Sequence, residues 1–108
     1  EVDYMMMTDP VSHEYSTKVR ATLGNRVKDI ILFGSRARGD HKEYSDYDML
    51  LIVDRRDKAL RDIVVDIEAG ILDTHERLVG SIVYESAEWE MKKNSPLGST
   101  ILREGICL

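Results

Sequence analysis

Apolar positions recur along this chain in two rhythms, and the switches between them mark out the elements. Val11, Tyr15, Val19 and Leu23 are spaced by four and make one face of a helix over residues 10–23. Asp9 before Pro10 supplies an N-cap and a proline at the first helical position, and Gly24-Asn25 supplies the stop. A β-branched apolar run follows, Val27–Phe33, which ends at Gly34 and reads as a buried strand. A second run, Tyr47–Val53, is continuously apolar in its second half, the mark of a strand covered on both faces. Helical spacing returns over residues 55–78. There Ala59, Ile63, Ile67, Ile71 and Leu78 share a face that Leu60, Val64 and Leu72 widen, and Gly70 weakens or bends it.

Residues 79–84 read as a third strand and residues 87–93 as a short helix. Asn94-Ser95-Pro96 breaks that helix, residues 96–103 form a last one, Gly105 ends it, and residues 106–108 make a terminal strand. The first eight residues read as a tail, so the division is a tail over residues 1–9 and one domain over residues 10–108. Residues 34–46 are polar and hold no sustained apolar period, so they read as a loop with at most one helical turn. A loop of about a dozen residues is long for a compact domain, and long loops tend to carry function.

Composition narrows the class. The chain has 108 residues, 43% apolar and 32% charged, which fits one soluble globular domain. No apolar run approaches the roughly 18 residues that a membrane helix needs. The net charge of −5 argues against duplex nucleic acid, whose phosphates call for many Lys and Arg. A nucleotide needs only a local cationic patch, and Arg36, Arg38 and Lys42 lie within the loop. Cys107 is the one cysteine, so an internal disulfide and a thiolate zinc site are excluded, and it reads as a packing residue. The start of the chain lacks the order of a signal peptide, so a cytoplasmic protein is expected. Homo-oligomerisation stays open.

Residues 34–48 carry the chemistry, as GSRARGDHKEYSDYD. Gly34 after a strand lets the backbone approach a phosphate and present N–H groups to it, and the Ser35 hydroxyl can donate to a phosphate oxygen. Arg36 and Arg38 add guanidinium forks suited to phosphate, and Gly39 permits a positive φ that folds the loop back. Asp46 and Asp48 stand two apart at a strand start, which puts both carboxylates on one face with Cα atoms about 6–7 Å apart. Such a pair can grip Mg²⁺, which takes few carboxylates together with water and substrate phosphates. His41 reads as a solvated loop residue, Tyr47 as packing, and His13, His41 and His75 show no metal-ligand spacing.

Gly-Ser, nine residues, then Ser-Asp-x-Asp is similar to the motif of the DNA polymerase β-like nucleotidyltransferase superfamily. The chain most closely resembles its minimal nucleotidyltransferases, short prokaryotic proteins often paired with HEPN-domain partners. The resemblance implies an α+β nucleotidyltransferase fold, a mixed β-sheet flanked by helices in a single small domain. It implies phosphate binding at Gly34 and Ser35, Mg²⁺ on Asp46 and Asp48, an ATP donor and adenylyl transfer to a hydroxyl. A chain of this length leaves no room for a separate acceptor domain, so a partner is expected to hold the acceptor or to be it. By resemblance that partner is a HEPN toxin, and this chain is its antitoxin.

Relatives carry a third carboxylate on the strand after the long helix, and residues 78–84 contain no acid. Ser81 stands where that acid is expected, with Glu85 just past the strand as a substitute and Glu88 on the next helix. Two readings follow: an Mg²⁺-dependent adenylyltransferase, or a catalytically degenerate nucleotide-binding module that silences a partner by complex formation. A P-loop and a dinucleotide fingerprint are both absent.

Overall fold

The computed structural model describes residues 9–108, so the tail expected over residues 1–9 lies outside the described residues except for Asp9. Helix α1, Pro10–Leu23, begins where Asp9 Oδ1 accepts the N–H groups of Val11 at 3.0 Å and Ser12 at 3.3 Å. Its four-spaced stripe of Val11, Tyr15, Val19 and Leu23 is buried throughout. A 3₁₀ turn leads into β1, Val27–Phe33, followed by the one-turn helix α2, Ser35–Arg38, and β2, Tyr47–Val53. Then come α3 (Lys58–His75), β3 (Val79–Glu85), α4 (Ser86–Lys92), α5 (Pro96–Glu104) and the short β4 (Ile106–Cys107).

The sheet has the order β3-β2-β1-β4. β1 is antiparallel to both β2 and β4, while β2 and β3 are parallel. A parallel pair needs a crossover, and α3 provides it. The expected class therefore holds: a mixed sheet flanked by helices in an α+β domain.

Both faces of the sheet are covered, and the pleat assigns each residue to one of them. Ile30 and Leu32 of β1 and Met49, Leu51 and Val53 of β2 pack with the stripes of α1 and α3. Ile31, Leu50 and Ile52 face the other way, onto Trp89 of α4 and Ile101 of α5. This double cover is why β2 is an unbroken apolar run from Met49 to Val53.

Four expectations are corrected. The buried row of α3 is Leu60, Val64, Ile67 and Ile71, whereas Ala59, Leu72 and Leu78 are exposed. Helical spacing admits two adjacent rows, and packing chooses between them. The helix also starts later, where Asp57 caps it by accepting the Leu60 N–H at 2.8 Å. Cys107 is exposed rather than packed, because β4 turns only Ile106 toward the core.

Ser81 is the fourth correction. It alternates with Val79 and Val83, which pack on the α1/α3 side, and its hydroxyl lies 2.7 Å from the Tyr15 hydroxyl. It stands on the face opposite Asp48, whose neighbours in β2, Tyr47 and Met49, also belong to the α1/α3 side. Burial pushes the Tyr15 phenol far above its ordinary pKa, so it stays protonated and needs that partner. Ser81→Ala should then destabilise the fold by about 1–2 kcal/mol and Tyr15→Phe by about 1 kcal/mol. In a double-mutant cycle read by urea unfolding the combined loss should fall short of the sum, and strict additivity would show that the hydroxyls do not pair.

Candidate functional site

The site begins where β1 ends. Phe33 pairs with Asp48 across the antiparallel ladder, so the residue after Phe33 arrives beside the Asp48 side chain. That residue is Gly34, at φ 78° and ψ −159°, a region open essentially to glycine alone. A Cβ there would collide with Asp48 Oδ2. Gly34 is thus required twice, by its backbone conformation and by the carboxylate lying on it.

The chain then closes one helical turn. The Gly34 carbonyl accepts the N–H groups of Ala37 at 3.0 Å and Arg38 at 3.1 Å, and Gly39 closes on the Ser35 carbonyl at 3.0 Å with φ 84°. The amides of Ser35 and Arg36 precede these bonds, and the first N–H groups of a helix have no partner within it. With the half-buried Ser35 hydroxyl they form a small donor set next to Asp48.

The two arginines take different places from those their composition implies. Arg36 lies over the Tyr47 ring, 4.3 Å from its centroid, on the α1/α3 side of the sheet. Its guanidinium donates to the Ser45 carbonyl at 3.1 and 3.0 Å and to the Glu43 carbonyl at 2.8 Å. It therefore ties the 39–46 loop back onto β2. Arg38 pairs with Asp40 at 3.1 Å and Glu104 at 3.2 Å, yet its charge still reaches Asp48 and favours the ionised form there.

Asp46 is exposed and Asp48 half-buried. Desolvation pushes the Asp48 pKa up, the Asp46 charge pushes it further, and Arg38 opposes both. Among the described residues no hydrogen bond offsets those effects. A divalent cation would relieve desolvation and repulsion together, and the pair fits one in that sense. Among the described residues no group of three or more His, Cys, Asp and Glu side chains is placed to hold a metal. The pair therefore suits Mg²⁺, which completes its sphere with water and substrate phosphate oxygens.

No third carboxylate joins them among the residues named in advance. Ser81 is on the far face, bonded to Tyr15. Glu85 pairs with Val53, five positions along β3 from the partner of Asp48, which is about 17 Å at the rise of a strand. Its carboxylate accepts the Arg56 N–H at 2.8 Å, and Glu88 accepts from Arg56 Nη1 at 2.8 Å. The β3 residue beside Asp48 is Gly80, which residue-type reasoning passed over because glycine carries no chemistry. A cavity of about 400 Å³ lined by Pro10, Val11, Arg36, His41 and His75 lies on the α1/α3 side, and His41 Nδ1 is buried there without a partner. Neither carboxylate lines it.

Known proteins share this fold. The nucleotidyltransferase domain family matches residues 14–103. A protein of Methanocaldococcus jannaschii named "Putative protein adenylyltransferase" is 33% identical over 92 residues, covering 85% of this chain and 88% of its own length. The crystal structure of a "putative nucleotidyltransferase" from Sulfolobus solfataricus superposes with a TM-score of 0.58 at 21% identity, covering 90% of this chain and 75% of that one. A toxin-antitoxin crystal structure with AMP-PNP has the same fold, with a TM-score of 0.56 at 18% identity over 86% of this chain and 68% of that one. With a Gly-Ser turn closed beside a strand-borne Asp pair and a family match across most of its length, this chain is a member of the nucleotidyltransferase domain family.

Proposed function

We propose that residues 10–108 act as one nucleotidyltransferase domain that transfers AMP from ATP to a hydroxyl of a partner protein, with Mg²⁺. The observation that carries this reading is the contact of Gly34 with Asp48, which sets a Gly-Ser turn suited to phosphate against a carboxylate suited to a metal. The M. jannaschii relative's name supports adenylyl transfer to protein, and the AMP-PNP complex of a shared fold supports an adenine nucleotide as donor. The toxin-antitoxin neighbour, together with the motif's likeness to minimal nucleotidyltransferases, supports a HEPN toxin as the partner and an antitoxin role for this chain.

In this reading the acceptor oxygen forms a bond to the α-phosphorus of ATP. The bond from that phosphorus to the bridging oxygen breaks, pyrophosphate leaves with the electron pair, and the hydroxyl proton passes to water. The Ser35 hydroxyl and the Ser35 and Arg36 amides hold phosphate oxygens, and Arg38 adds positive charge beside them. Asp46 and Asp48 would hold Mg²⁺, which when bound neutralises charge on the phosphates. Arg36 positions the loop that delivers Asp46 rather than touching phosphate itself.

Calorimetry with ATP and Mg²⁺ should show binding that collapses when Asp46→Ala and Asp48→Ala are combined; unchanged binding would remove the site. Gly34→Ala should weaken that binding at least about tenfold and cost roughly 1–3 kcal/mol of stability, because the new methyl displaces Asp48 and strains the turn. An Ala variant that binds normally would show that the Gly34–Asp48 contact is dispensable. The one acid of β3, Glu85, stands at the far end from Asp48, and this favours a second reading, silencing by complex formation alone. Incubation with labelled ATP, Mg²⁺ and a HEPN partner separates the two: label on the partner supports transfer, and a tight unlabelled complex supports masking.

A further inference from the structure

Gly80 is a glycine without a structural reason. Its φ is not in the left-handed region, where Gly24, Gly34 and Gly39 sit, so the backbone does not require it. A Cβ at Gly80 would meet nothing within 4 Å, so packing does not require it either. Glycine weakens a strand and leaves an entropic cost, and β3 would be better built with a side chain there. Glycine inside a strand often marks a place where something approaches closely.

Its position says what approaches. Gly80 pairs with Asp48 in the parallel register, so the two share a face of the sheet. The phosphate turn follows β1, on one side of β2, and Gly80 lies on β3, on the other. Asp48 is therefore flanked by donors for phosphate on one side and by a bare strand on the other, each about 5 Å away at the spacing of strands. In phosphoryl and nucleotidyl transfer the attacking and leaving oxygens lie roughly in line through phosphorus. With the triphosphate held on the β1 side, the attacking oxygen has to arrive from the β3 side. β3 is also the sheet's edge, so this approach leads straight in from solvent.

We propose that Gly80 is the acceptor lane of the site: the hydroxyl of the incoming protein crosses β3 over Gly80 to reach the α-phosphate beside Asp48. The position that would seat a third carboxylate is the one left empty for the acceptor. This inference rests on the nucleotidyltransferase reading above and adds which residue admits the acceptor. Its side chain of zero volume sets what can enter, a specificity role rather than a catalytic one.

Variants of the full chain test it, with Mn²⁺ as the metal probe and a short tyrosine peptide, or water where no peptide is accepted, as the acceptor. Gly80→Asp should tighten Mn²⁺ at least about tenfold by calorimetry, because a third carboxylate then stands beside Asp48 on its own face. Gly80→Val should keep the ATP affinity within about twofold and slow transfer at least about tenfold, since misplacing a reactant by about 1 Å already costs a hundredfold. Gly80→Ala should fall between. All three should fold, because the space is open and β3 accepts branched side chains. Unchanged Mn²⁺ affinity in Gly80→Asp, or full-rate transfer in Gly80→Val, overturns the lane. Lost ATP binding in Gly80→Val overturns it as well, by putting the nucleotide on the β3 side. A wild-type chain that binds neither Mn²⁺ nor ATP removes instead the reading on which the lane rests.

Discussion

Everything at this site depends on the register of β1 against β2. The ladder sets Phe33 opposite Asp48, and this alone brings the turn at Gly34 under the Asp48 carboxylate. The register is not free to slip. Side chains alternate with a period of two, so a shift by one residue would send Leu50 and Ile52 toward α1 and α3 and carry Asp48 with them. The double-sided core therefore does more than stabilise the sheet. By holding Met49, Leu51 and Val53 on one face and Leu50 and Ile52 on the other, it decides which way the two acids point.

The two ends of β2 show how the same residue type is used differently. Beyond its far end, Asp54 is held below the ordinary carboxylate range: desolvation raises it, but the hydrogen bonds from Arg26 and the Arg55 amide and the charges of Arg26 and Lys28 together outweigh that. Asp57 is lowered by the Leu60 amide, with help from Arg26 and Arg55. These acids are satisfied, and they fasten the start of α3. At the near end Asp48 is raised by desolvation and by Asp46 against the charge of Arg38, and among the described residues no hydrogen-bond donor answers it. A bound cation would relieve an acid raised in this way on a well-packed scaffold, and such violations of local rules concentrate at functional sites. The loop is treated the other way. Arg36 uses its guanidinium on the Glu43 and Ser45 carbonyls and on the Tyr47 ring, so the segment that delivers Asp46 is braced.

The asymmetry across the sheet gives the domain its functional direction. The turn proposed to hold phosphate follows β1, the acids lie at the mouth of β2, and β3 presents a bare glycine at an open edge. A nucleotide on the first and a protein hydroxyl over the last would meet at the middle strand. The α4 and α5 helices cover the same face farther along, through Trp89 and Ile101.

Local spacing was enough for most of the elements and for the motif. A four-residue period, a capping Asp before Pro10 and runs of β-branched residues are properties of adjacent positions, and α1, β1, β2 and the late helices fell where those properties put them. The contiguous run from Gly34 to Asp48 was legible for the same reason, since its members are joined by one short loop. What spacing could not settle was which face of one element looks at which face of another. Periodicity assigned Ser81 a parity, but only strand register showed that this parity is the Tyr15 side and that Gly80 is the neighbour of Asp48. It allowed two rows on α3, and packing on the sheet selected the one through Leu60 and Ile67. It offered Arg36 to phosphate, while the folded loop placed two carbonyls and an aromatic ring within its reach. Relations within an element are written in its own period; relations between elements arise only when distant segments compete for the same interior.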